Sequence, residues 1–518
     1  MDCKTNANSI HALEEQIREH EKAIIQLKRA RNSLLNVSKL PPEVLGKIFH
    51  WNVTFKGHFD GLDEGSHNFL LVCHHWFEVA SQTPEVWSFW ENTPKDWARW
   101  CHRSGTAPLD LVLNDDDRND SYLDTTLCNI LRDRATRDTI RRVHLKTKDL
   151  VLLSSIVAQL TANREELQFN NIESFILWNQ QEDTPVDVSD FFTRYLSQKL
   201  RYLDLFNCAI SLPWWDYLTS RTSVLATLFL HLIPPSPTPT TSQLLSILSS
   251  NQTLRNVVLI GCAIPNDGSG GSSFRVQLHH LKELCLEGDL RHIIGLLHQL
   301  DYPRNMNLTL ELHDCGAADI SQTIGPYLRD HLQRHDRPRN GLHLFVSSGP
   351  IANDTQSIIL HVGDAGGDNF SAPVWIGANA FVKVDVLLKL PRSDVSGRTI
   401  LDFITHVPRE EVVYFQTYYD SVPMEDILTQ FPNVKVLSLS TIPLLAAFPS
   451  QNIVGDGIIF PSLERVLLRD VIVNYGDWSP LVTFLGCRVS SGNRLDTLTI
   501  TDSPSMSPEV VSEVWFGS

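Results

Sequence analysis

Leu200-Arg-Tyr-Leu203-Asp-Leu205-Phe-Asn-Cys208 spaces its apolar residues as LxxLxLxxC. Leu254-x-x-Val257-x-Leu259-x-x-Cys262 has the same spacing. Leu225-x-x-Leu228-x-Leu230 and Leu281-x-x-Leu284-x-Leu286 share it without the final cysteine, and Asn307-x-x-Leu310-x-Leu312-x-x-Cys315 shares it with a polar first position. The five starts are separated by 25, 29, 27 and 26 residues. A short run with alternating apolar positions is a strand, and that interval leaves room for one returning helix. One such unit cannot bury its inward leucines, but stacked neighbours can.

Working outward, Ile140-x-x-Val143-x-Leu145 and the region of Leu167 and Phe169 are candidate first repeats. Val434-x-x-Leu437-x-Leu439, Leu463-x-x-Val466-x-Leu468 and Leu495-x-x-Leu498-x-Ile500 are candidate late ones. The spacing resembles a leucine-rich repeat, which implies a curved α/β solenoid with parallel strands on its concave face. Between about 320 and 405 the register is lost, although Leu342, Ile359 and Val384 mark β-rich runs. Irregular or inserted structure is expected there. The cysteines after the strands read as small turn residues. Asp204, Phe206, Val258 and Ile260 fall on the solvent side of their strands, and Phe206 and Ile260 are candidate client anchors. The loops 234–239, 266–273 and 363–368 are rich in Pro, Gly or Ser and interrupt the array.

Toward the N-terminus, Ser9 to Asn36 reads as one charged helix. Ile10, Leu13, Ile17, Ile24 and Leu27 form a seam of about three heptads, with mixed charges on its flanks. Self-association as a coiled coil and packing back on the chain are both open. Pro42 and Glu43 then begin a helix whose Val44, Leu45, Ile48 and Phe49 share a face. A glycine-rich loop is expected from Lys56 to Ser66. A second helix carries Leu70, Cys73, Phe77 and Ala80 with Val72, Trp76 and Val79 beside them, and a third carries Val86, Trp87 and Trp90. So small a unit buries little core, so some of these side chains should face a partner.

Leu40-Pro-Pro-Glu-Val-Leu-x-x-Ile-Phe49, Leu71-Val-Cys-His-His-Trp-Phe-Glu-Val-Ala80 and Pro84-Glu-Val-Trp87 together resemble an F-box. The segment after it, Trp97 to Leu113, resembles a large family from mushroom-forming fungi, whose members often begin with a short charged helix. The expected division is a charged helix at 1–38, an F-box at 39–92, a linker region at 93–134 and the repeat array at 135–518. The resemblance implies docking of a Skp-type adaptor subunit and, through it, a cullin–RING ubiquitin ligase, with an unidentified client on the repeats. The residues it assigns to the adaptor interface are Leu40, Pro41, Val44, Leu45, Ile48, Phe49, Val72, Cys73, Trp76, Val79 and Trp87; some of these must instead be internal core. A non-ligase scaffold that uses the same docking module is the alternative.

Composition narrows the classes further. The chain has 518 residues, 42% of them hydrophobic, and a net charge of −16. That balance opposes a nucleic-acid partner and an anionic membrane surface. Nine scattered cysteines without a CxxC fit a reducing compartment. The expected location is cytoplasmic or nuclear, since neither a signal peptide nor a transmembrane run is seen. Cys73-His74-His75 and Cys101-His102 lack paired-ligand spacing for zinc, and Asp115 to Asp117 lacks the calcium-loop pattern. No phosphate-binding loop, nucleophile elbow or HExxH occurs. No enzyme activity, cofactor or metal is therefore expected.

Overall fold

The computed structural model describes residues 3–59, 68–91, 97–115, 136, 138–149, 154, 171–181, 184–189, 198–221, 224–233, 239–262, 275–303, 306–313, 315–333, 342–352, 355–364, 383–391, 397–418, 430–440, 453–454, 457–458, 460–469 and 479–501. The chain is mixed α/β, with mostly parallel β-structure, and forms two compact units, Met1–Ala209 and Ile210–Ser518.

The first unit begins with helix α1, Cys3–Ser33, which starts earlier and stops sooner than expected. Its end is marked by the Ser33 hydroxyl, which donates to the Ala30 carbonyl at 2.7 Å. Ile10, Leu13, Ile17, Ile24 and Leu27 are all exposed, so the seam does not pack back on the chain. Helix α2, Pro42–Phe59, continues four residues into the expected loop, whose remainder lies outside the described residues. Helix α3 is His74–Ser81, and Pro84–Trp87 is a 3-10 turn. Trp90, expected on a third helix, lies instead on strand β1, Phe89–Glu91.

The expected linker supplies helix α4, Trp97–Ser104, and strand β2, Leu109–Asp115. Strand β2 carries Leu109, Leu111 and Leu113 on one side and Asp110 and Val112 on the other, all five buried. Strands β3 (Ile140–Thr147), β4 (Ser174–Asn179) and β5 (Tyr202–Phe206) follow, each parallel to its neighbour. The region of Leu167 and Phe169 lies outside the described residues; the repeat position there is taken by Ile172, Phe175 and Leu177, all buried.

In the second unit, strands β6 (Thr227–His231), β7 (Asn256–Ile260), β8 (Glu283–Asp289) and β9 (Asn307–His313) pair in parallel and in chain order. Their leucines align as columns: Leu228, Val257, Leu284 and Leu308, then Leu230, Leu259, Leu286 and Leu310. All are buried. The fifth repeat is therefore displaced by two residues from its expected register, with Leu308 rather than Leu310 beside Leu284. A two-residue slip keeps every side chain on its face, and Leu308, Leu310 and Leu312 satisfy either frame.

Strands β10 (Leu342–Ala352), β11 (Thr355–Asp364) and β12 (Lys383–Pro391) fill the stretch where the repeat fades. Here the parallel pattern is interrupted, in the stretch where irregular or inserted structure is expected. Strand β9 pairs with β12, β12 with β11, β11 with β10, and β11 runs antiparallel to both of its neighbours. The reason lies in chain length: two residues separate β10 from β11, and a parallel crossover needs about a dozen. The parallel pattern resumes through β13 (Val412–Tyr418), β14 (Val436–Ser440), β15 (Arg465–Arg469) and β16 (Thr497–Thr501).

Helices separate many of these strands. The one at Thr241–Ser250 starts with a capping box: Thr240 Oγ1 accepts from the Gln243 amide at 3.1 Å, and Gln243 Oε1 accepts from the Thr240 amide at 3.0 Å. The turns after β5, β6 and β7 also repeat, with Asn207, Leu232 and Gly261 all in the left-handed region at φ 51°, 50° and 59°. A Cβ at Gly261 would come within 2.7 Å of the Leu232 side chain and 3.3 Å of its backbone, so it is the close packing that favours glycine here, while Asn207 and Leu232 adopt the same conformation.

Candidate functional site

Helix α2 has two apolar faces. Leu45, Phe49 and Val53 point inward and join Phe69, Val79, Ala80, Val86, Trp87, Phe89 and Val112 in one core. Phe49 stacks on Phe69 with ring centroids 4.7 Å apart, and Trp76 closes on the same ring at 5.1 Å. The Trp87 indole N–H donates to the Ala80 carbonyl at 2.7 Å, while Arg103 lies 4.2 Å over its ring. A Cβ at Gly46 would come within 2.8 Å of Thr83 Oγ1, so α2 sits tightly on the segment that leads into the 3-10 turn.

The other face points outward. Val44, Ile48 and Trp51, at i, i+4 and i+7, are 41%, 47% and 65% exposed. Leu71 and Val72 are exposed at 84% and 56%, and Phe77 is exposed as well. The residues assigned by resemblance to the adaptor interface thus divide. Pro41, Val44, Ile48 and Val72 are exposed; Leu40, Cys73 and Trp76 are half-buried; Leu45, Phe49, Val79 and Trp87 are buried. Sequence reasoning missed Trp51, and it placed Phe77 on one stripe with Leu70, Cys73 and Ala80, of which Ala80 is buried and Leu70 and Cys73 are half-buried. The signal for Trp51 was its spacing of seven from Val44 and three from Ile48.

On the sheet of the first unit, the row Lys146, Trp178 and Phe206 crosses β3, β4 and β5. The Lys146 ammonium is 5.9 Å from the Trp178 ring, and that ring is 6.2 Å from Phe206. Phe206 is half-buried, as is Ile260 on β7, so both client candidates keep part of their surface in solvent. Asp204 and Val258 do not: both are buried, against expectation. Tyr202 and Phe206 flank Asp204 on the same face, and Tyr202 Oη lies 3.5 Å from its Oδ2. Burial pushes the Asp204 carboxyl up to about 6, with Trp178 and Tyr202 pulling the other way. Burial also lowers His231, which favours its neutral form.

The cysteines of the turn column are hydrogen-bond donors. The Cys208 thiol donates to the Phe206 carbonyl at 3.4 Å, and the Cys262 thiol to the Leu230 carbonyl at 3.1 Å. Burial pushes Cys208 far up and Cys262 up to about 12, so both stay protonated at neutral pH. No helix among the described residues is long and apolar enough to cross a membrane. No family model matches the chain, and no curated protein matches it.

Proposed function

We propose that this chain is a non-catalytic adaptor. Its three-helix segment docks a Skp-type subunit of a cullin–RING ubiquitin ligase, and its sheet, read as a leucine-rich-repeat array, holds a client protein. The observation that carries this reading is the outward stripe of α2. Val44, Ile48 and Trp51 stay in solvent although the core beneath them is closed by Leu45, Phe49 and Val53. Burying a large apolar side chain is worth about 1.5–3 kcal/mol, so a partner that covers this stripe and the neighbouring Leu71 and Val72 gains several such terms. Pro41 extends the same surface, and half-buried Leu40 and Trp76 border it. Leu45, Phe49, Val79 and Trp87 act from within by holding α2 in place. Such an adaptor needs no chemistry of its own, because raising the local concentration of a target lysine beside a charged conjugating enzyme is enough. Phe206 and Ile260 are the apolar anchors proposed for the client.

The test is capture of a purified Skp-type subunit by the full chain and by a Val44→Glu/Ile48→Glu variant. Loss of capture with unchanged circular dichroism is expected, and undiminished capture overturns the docking surface. Co-purification then decides the role: a ligase adaptor brings down cullin and a polyubiquitinated client, whereas a scaffold brings down the Skp-type subunit without them.

A further inference from the structure

Strands β8 and β9 pair so that Glu287 lies directly opposite Glu311, and Asp289 opposite His313. Side chains alternate along a strand, so Glu287, Glu311 and His313 share the face opposite buried Leu286, Leu310 and Leu312. One donor atom from each, an imidazole nitrogen and two carboxylate oxygens, lies within 4.8 Å of the other two. His313 Nε2 is 2.9 Å from Glu287 Oε1. The three residues are half-buried, with 17% of the Glu287 side chain and 31% of the His313 side chain exposed. Among the described residues, no other group of three such donors comes together in this way.

Two carboxylates directly opposite each other on neighbouring strands repel, and partial burial strengthens the repulsion. A divalent cation would turn the repulsion into shared ligation and would use the imidazole as its third donor. Zinc binds imidazole nitrogen at about 2.0–2.1 Å and carboxylate oxygen at about 2.0–2.2 Å, so its ligand atoms sit roughly 3–3.5 Å apart. The 2.9 Å contact is already close to that spacing, and the other separations lie within 4.8 Å.

We propose that Glu287, Glu311 and His313 form a binding site for a divalent transition-metal ion, with its remaining coordination positions open on the solvent side. One borderline nitrogen and two hard oxygens suit Zn²⁺ or Mn²⁺. They do not suit Cu(I), which wants sulfur, or Ca²⁺, which takes six to eight oxygens. The thiol of Cys262, whose carboxylate neighbour is Glu287, is engaged with the Leu230 carbonyl and does not join the set. The open positions fit water, or a carboxylate of a protein laid across this face. The site stands on its own geometry and does not depend on the adaptor reading.

The test is a calorimetric titration of Zn²⁺ alone into the chelator-treated full-length chain, repeated with Mn²⁺. One saturable equivalent is expected for the unaltered chain. Glu287→Gln, Glu311→Gln and His313→Gln should each weaken that equivalent by at least about tenfold. The chain has twenty histidines, so binding that survives all three substitutions marks adventitious uptake and overturns the site. So does an unaltered chain that takes up no equivalent. Should a variant lose its cooperative melt, zinc X-ray absorption of the unaltered chain decides instead. One imidazole with oxygen ligands supports the site, and sulfur or several imidazoles refute it.

Discussion

Helix α2 and strand β7 use apolar residues in opposite ways. In β7, Val257 and Leu259 are buried and aligned with the leucines of the neighbouring strands, so the pattern is used up by the fold itself. In α2, Leu45, Phe49 and Val53 satisfy the core, yet Val44, Ile48 and Trp51 form a second helical stripe on the outside. The lesson is that an apolar period alone does not mark function. What is available to a partner is the set of apolar side chains left over after the core is closed.

The sharpest way to break this comparison is to place a charge in the used-up pattern. Leu259→Asp, at a buried position with apolar neighbours on both sides, should cost several kcal/mol and melt adjoining strands, as read by chemical denaturation and hydrogen exchange. A variant as stable as the parent chain would mean that these columns do not hold the sheet.

Neighbours within α2 provide the next contrast. Phe49→Ala removes a ring stacked on Phe69 and should cost about 3–5 kcal/mol, whereas Ile48→Ala, one residue away, should change stability by less than about 0.5 kcal/mol. Equal effects in thermal melts would erase the distinction between the two faces.

A smaller effect sharpens the electrostatic side. The Asp204 carboxyl is raised from 3.8 to about 6 on folding. The native chain therefore keeps this proton between those values while the unfolded chain loses it, and stability falls as pH rises through that window. The loss is complete above the folded value and amounts to at most about 3 kcal/mol. Asp204→Asn should be neutral near pH 4 and stabilising by about 2–3 kcal/mol at pH 7.5, as measured by denaturant titration at both. Equal stability of the two chains at pH 7.5 would show that the carboxyl is not held in its buried state.

Much of the sheet was legible from spacing, because many of its strands repeat a local LxxLxL pattern. Leu203, Leu205, Leu437 and Leu439 are buried where the pattern placed them. The register of β9 was not legible, because a strand with leucine at 308, 310 and 312 reads the same in either frame. The reversed order of β10 to β12 was hidden for a different reason: alternation marks a strand but carries no direction.

The amino-acid order by itself determined the repeating strands and the two helices that follow Pro41. Those features rest on interactions within a few turns of chain, where spacing decides which side chains share a face. Only the tertiary structure decided which residues of α2 are core and which are surface, that Asp204 is buried, and that Glu287 meets Glu311 and His313. Each of these depends on what a neighbouring element covers or brings near. A residue's own segment cannot say which partner will lie beside it, because pairing between strands 24 residues apart is settled by stacking and not by local preference.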